Sequence, residues 1–169
     1  MNKRHVLAGL ALALATSAAL AGDGNKEFSM GIQGNARTEA ADVGLPVYAG
    51  AVPYKDGSDD KAGVSLGAWA GGFGLQIHAL KFRSSASPER VAAFYFKVLG
   101  RYGEVLDCRD PASRVKPPKD SDKLTCEASE PRAGVQEYRV GTAKRFRVVS
   151  VKPDGEGSRF DMASIDLRF

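Results

Sequence analysis

The chain has 169 residues, with 24 Lys and Arg against 20 Asp and Glu, for a net charge of +4. That length is one domain's worth. The small charge excludes the strongly basic footprint of a nucleic-acid-binding protein, and His78 with Cys108 and Cys126 does not supply the three or four tightly spaced ligands of a zinc site.

The first 21 residues read as a leader. Lys3, Arg4 and His5 form a positive start, residues 6–15 are an apolar run, and Ala19-Leu20-Ala21 closes a small-residue stretch. This is the pattern of a secretory signal peptide, with cleavage predicted after Ala21. The run is shorter than the ~20 residues a membrane span needs, and no cysteine follows the cleavage site to carry a lipid. The remaining domain, residues 22–169, has a charge of 22 − 20 = +2, since Lys3 and Arg4 leave with the leader. Export places Cys108 and Cys126 in an oxidising compartment, where an even count predicts a disulfide. Closing that loop stabilises by about 3 kcal/mol.

In chain order, Phe28, Met30 and Ile32 alternate with small or polar residues and predict a short strand. Residues 36–42 predict a short helix stopped near Gly44. Residues 55–61 form a polar loop. Its Asp56, Asp59 and Asp60 lack the ligand spacing, the glycine and the terminal glutamate of an EF-hand. Residues 64–70 and 75–82 predict two strands joined through residues 71–74, a glycine-rich hairpin. These glycines have no phosphate-loop spacing and no following helix. Trp69 stands just before the turn, and burial is the expectation for a lone tryptophan.

One amphipathic helix follows, over residues 88–101. Ser87 suits the N-cap, Pro88 the first turn and Glu89 the positive end of the dipole. Val91, Phe94, Tyr95, Val98, Leu99 and Tyr102 form one face, and Gly100 or Gly103 ends the helix. Strands are predicted over 104–108, 124–128, 135–141, 144–152 and 159–169, with a proline-rich loop over 109–123. A turn centred on Gly155-Glu156 pairs Val151 with Phe160 and Val149 with Met162 on one side. Further out, Val148 and Phe146 would meet Ala163 and Ile165 on the other. The last hairpin is therefore expected to bury opposite faces at its two ends, or to bulge between them.

Leu45-Pro46-Val47-Tyr48-Ala49-Gly50-Ala51, followed by a hairpin and Ser87-Pro88-Glu89-Arg90-Val91-Ala92-Ala93-Phe94-Tyr95, resembles a pattern in uncharacterised bacterial exported proteins. These read L-P-x-Y-P-G-A and then S-P-E-x-V-x-x-F-Y, with the helix ending near Tyr-Gly. Ala49 stands where that pattern has proline. The resemblance covers about residues 43–108 and implies an architecture; it transfers no activity and no catalytic residue.

Strand signals on both sides of one helix, without βαβ alternation, predict α+β, a mainly antiparallel twisted sheet on one principal helix. A helix about 10 Å wide covers two or three strands spaced ~4.8 Å apart. Part of the sheet must therefore curl or take another cover. The chemistry is sparse. His78 is the one histidine beyond the leader, it sits mid-strand, and no G-x-S-x-G elbow accompanies it. No residue is assigned a catalytic, cofactor-binding or metal role, and no cofactor is implied. Arg139, Lys144, Arg145 and Arg147 are the candidate binding surface, suited to an acidic envelope protein or an anionic surface. The expected function is binding of a partner or ligand in the bacterial cell envelope, without catalysis. The alternatives are a small periplasmic hydrolase using His78 and a homo-oligomeric structural protein.

Overall fold

A computed structural model describes residues 30–35, 38–128 and 132–169. Its strands are β1 (Met30–Asn35), β2 (Val52–Pro53), β3 (Gly63–Ala70), β4 (Phe73–Ser84), β5 (Leu106–Asp107), β6 (Gln136–Gly141), β7 (Arg145–Asp154) and β8 (Gly157–Arg168). The helices are α1 (Ala40–Val43) and α2 (Pro88–Leu99). All strands join one open antiparallel sheet in the order β1-β3-β4-β8-β7-β6-β5, with β2 beside the end of β4. The α+β expectation holds in this form. Phe28 lies outside the described residues. The strand expected over 124–128 is instead an irregular loop, preceded by one bridge between Lys123 and Thr142 and held to β6 by Arg139 donating to the Thr125 carbonyl. It is also tied down by the Cys108–Cys126 disulfide, whose Cα atoms stand 5.3 Å apart.

Helix α2 forms where expected and continues as a 3-10 turn over Gly100–Tyr102. Val91, Ala92, Tyr95, Val98 and Leu99 are its buried residues. Ser87 makes no side-chain bond to a helix amide. The Glu89 carboxylate is instead held below its usual range by its own backbone N–H and then by the Ser87 hydroxyl. Under the helix lie Leu80 and Phe82 of β4, Phe160 and Met162 of β8, Val149 and Val151 of β7, and Tyr138 and Val140 of β6. Phe160 sits between the rings of Phe82 and Tyr95, with centroids 5.3 and 5.2 Å away.

The two resembling segments interlock at Tyr95. Its hydroxyl accepts from the Tyr48 backbone N–H at 3.1 Å and donates to the Pro46 carbonyl at 3.2 Å. Phe94 meets the Tyr48 ring edge to face at 5.2 Å. Helix α1 ends at Gly44, whose left-handed φ of 72° suits glycine. The Tyr102 hydroxyl donates to the Gly44 carbonyl. The chain from residue 40 to 48 is thereby strapped across the foot of α2.

The last hairpin has the expected register, without a bulge: Val151 pairs with Phe160, Val149 with Met162, Val148 with Ala163, and Phe146 with Ile165. The inversion of sides runs through the neighbouring strands too. On the helix side, the cross-strand row Gly63–Leu80–Met162–Val149–Tyr138 is core. The next row on the same side is Asn35–Ser65–His78–Ser164–Arg147, which returns to the core only at Val140 of β6, and the one after is Gln33–Gly67–Gln76–Asp166–Arg145. Polarity replaces core at the level where α2 no longer reaches. The outer face does the reverse. Its row Lys81–Asp161–Ser150–Glu137 is charged or polar. Beyond it lie three apolar ladders: Val64–Ala79–Ala163–Val148, then Gly34–Leu66–Ile77–Ile165–Phe146, then Ile32–Ala68–Leu75–Leu167.

Candidate functional site

The polar rows make a shelf on the helix side of the distal sheet. Its floor is lowered by glycine. Gly31 and Gly74 flank Trp69 on the neighbouring strands, and Gly67 lies two residues before it on the same face. Having no side chain beside it, the Trp69 indole lies down over β1. A Cβ on Gly31 would sit 2.2 Å from the ring. Trp69 is 43% exposed, which corrects the expectation of burial. The physical reason is register: Trp69 falls on the helix side, beyond the reach of α2, with no side chain opposite to cover it.

An open cleft of about 230 Å3 runs from Trp69 across Gly67 and Gly74 to Gln33, Gln76, Asp166 and Arg168. Two further clefts continue it towards Asn35, Ser65, His78 and Asp42, and then towards Arg145, Arg147 and Ser164. Asp166 is the charged centre. Arg145 donates to its Oδ2 at 3.0 Å, and Arg168 Nε stands 3.5 Å from its Oδ1. That Oδ1 is buried and has no hydrogen-bond partner among the described residues.

His78 sits mid-strand, as expected, and is half-buried and hydrogen-bonded. Its Nδ1 lies 2.7 Å from Ser65 Oγ on the paired strand, and Ser65 Oγ lies 2.8 Å from Thr38 Oγ1. The Ser65–His78 pairing was missed in the sequence because the two residues are 13 apart. Only the register of the β3–β4 hairpin sets them opposite each other.

The four basic candidates do not share one surface. Arg145 and Arg147, two apart on β7, both face the shelf. Arg147 also reaches below it, donating to the Val43 carbonyl at 3.0 Å and lying 4.1 Å over the Tyr102 ring. Its role includes holding α1 to the sheet. Lys144 precedes β7 and pairs with Asp122 at 3.5 Å. Arg139 is on the outer face, opposite Val148. It pairs with Glu137 at 2.8 Å and donates to the Thr125 carbonyl at 3.0 Å, with only 16% of its side chain exposed. The structure uses it to pin the disulfide loop, because period-two alternation turns Arg139 and Arg147 to opposite sides of the sheet.

Two of the three carboxylates of the 55–61 loop are also engaged. Asp60 pairs with Lys81 at 2.6 Å and Asp56 with Arg159 at 2.9 Å. The N–H of Asp56, with Lys81 second, lowers the Asp60 pKa from 3.8 to about 2.

The shelf brings together an aromatic plate and a polar rim rich in amide, carboxylate and guanidinium groups. This can hydrogen-bond a polar ligand from several sides while stacking one of its faces. Comparison of the chain with protein-family models, curated proteins and solved structures gave no match.

Proposed function

We propose that this chain is an exported, non-enzymatic domain of the bacterial cell envelope, and that it binds a polar ring-bearing ligand of the saccharide class on the glycine-floored shelf. The observation that carries the reading is the half-exposed Trp69 indole, laid over Gly31 at the rim of a polar cleft. A sugar ring presents C–H groups on one face and hydroxyls around its edge. The indole suits the first. Gln33, Gln76, Asp166 and Arg168 suit the second, since together they offer both donors and acceptors. The leader-like first 21 residues and the disulfide support export. No helix of the described residues is long and apolar enough to cross a membrane. We read the two segments of the exported-protein resemblance as an architectural lock, since their residues meet at Tyr95 and not on the shelf. An envelope protein carrying such a glycan is the natural partner, and Arg145 and Arg147 are the side chains by which an acidic glycan or anionic surface would be held.

Trp69 is the chain's one tryptophan, so its emission reports the site directly. Titration with oligosaccharides released from envelope glycans should give a saturable change in fluorescence. Gln76→Ala and Asp166→Ala should abolish that change without altering the far-ultraviolet circular dichroism. A panel of neutral and acidic glycans with no saturable response would reject the reading. Export has its own check: the amino terminus of periplasmic protein should begin at Gly22, and cytoplasmic retention would refute it.

A second reading rests on the 2.7 Å contact between Ser65 and His78, which is the nucleophile–base pairing a hydrolase would need. The purified protein should then cleave activated esters, and His78→Ala should remove that activity. Equal turnover by the variant would dismiss it.

A further inference from the structure

The three apolar ladders of the outer face have no cover among the described residues. None of their side chains belongs to the core under α2 or packs against it. Ile32 is 88% exposed and Leu66 45%. The charged end of the same face is covered differently, by Tyr54 and the 55–61 loop, through Lys81, Arg83 and Arg159. The distal half of the sheet is therefore built inside out: polar towards its own helix and apolar towards the outside. A monomer has no use for that pattern, because the distal strands would present their apolar side to water.

We infer that a second copy of this chain packs on the outer face, sheet against sheet, leaving the two shelves open on opposite sides of the dimer. Three observations favour this occupant. The first is area. Three ladders two residues apart, on four to five strands, make a patch of roughly 20 by 22 Å. Two such patches supply about 900 Å2, short of the ~1,200 Å2 at which specific interfaces begin, so the rim around the ladders must supply the remainder. Met30 and Phe73, 74% and 43% exposed, extend the patch at its distal end.

The second is relief. The middle ladder carries the bulk of Leu66, Ile77, Ile165 and Phe146, while the first ladder beside it is cut down at its centre by Ala79 and Ala163. A ridge beside a furrow is self-complementary across a two-fold axis. The third is charge. From β1 to β7 the ladders hold no ionisable residue, and Arg139, which continues the first ladder onto β6, is already paired with Glu137. Three of the cations at the near end, beside Lys152, are already paired within the chain: Lys81 with Asp60, Arg159 with Asp56, and Arg83 with Asp154 at 2.7 Å. A face meant for anionic lipid would leave such cations free.

The test uses the exported protein, purified from the periplasm and followed by light scattering through a dilution series. Wild type should have twice the chain mass and dissociate on dilution. Ile77→Glu places a charge at the centre of the ridge and should raise the dissociation constant at least about 100-fold, with unchanged circular dichroism. Ile77→Cys tests the geometry without that charge. The described cysteines are already bridged, so its thiol should oxidise to a chain-to-chain disulfide. Trp69→Ala should leave the mass unchanged, separating this proposal from the shelf reading. A wild-type monomer at every concentration would overturn the inference. So would an Ile77→Glu dimer of unchanged affinity, or a monomer that binds anionic vesicles through this face.

Discussion

Tyr95 shows how much one side chain holds. It is fully buried, and burial pushes its hydroxyl well above the usual tyrosine range. The hydroxyl therefore stays protonated, accepting from Tyr48 and donating to Pro46. Tyr95→Phe keeps the ring between Phe94 and Phe160 but strands the Tyr48 N–H. The expected loss is about 1–3 kcal/mol, read as a lower urea midpoint with an unchanged slope. Trp69 is the opposite case, an aromatic side chain the core does not use. Gly31→Val would drive a side chain into the indole plane. The expected result is a red shift of tryptophan emission and lost ligand response, with the cooperative unfolding transition kept.

At the scale of elements, the 55–61 loop is fastened by charge and the 109–128 loop by a covalent bond. Asp60 has a lower pKa folded than unfolded. Its contribution is therefore fully present above the unfolded value near 3.8 and is lost as pH falls towards about 2. Between pH 5 and pH 2 the melting temperature of wild type should fall more steeply than that of Asp60→Asn, which lacks the titrating group. Parallel profiles would contradict the assignment. The disulfide loop has little regular structure. It rests on Arg139, on Arg114 donating to the Cys108 carbonyl at 3.3 Å, and on Arg109, which binds Asp107 and donates to Gln136 at 3.1 Å. Replacing both cysteines with serine should cost about 3 kcal/mol and expose this loop to protease before the rest of the chain.

Element boundaries were largely legible in the sequence because their signals are local. Pro88, Glu89 and the apolar spacing mark α2, Gly44 stops α1, and Gly155-Glu156 turns the last hairpin into the observed register. The strand expected over 124–128 failed because a short apolar alternation there is satisfied by the disulfide and by buried Leu124 and Cys126, not by sheet pairing.

Across the whole molecule, one helix serves half of one sheet. Proximal rows are core, so Phe160→Ala should cost about 3–5 kcal/mol. Leu75→Ala, on the distal outer face, should change the stability of a dissociated monomer by about 1 kcal/mol or less. Denaturation of both variants in the Ile77→Glu background separates these cases. Equal losses would mean that something within the chain covers the outer face.

By itself the sequence determined the disulfide pair, the α2 face and the switch of sides in the last hairpin, because each is written in near-neighbour spacing. It also required that part of the sheet lie beyond the helix, since a helix is only so wide. Tertiary structure alone decided the rest. Registers set Ser65 against His78 and Trp69 between two glycines, and they carried the switch of sides from one hairpin across the neighbouring strands. They also sent Arg139 and Arg147 to opposite faces. Those outcomes depend on which strands are neighbours and on where each pairing begins, and a shift of one residue would have reversed every one of them.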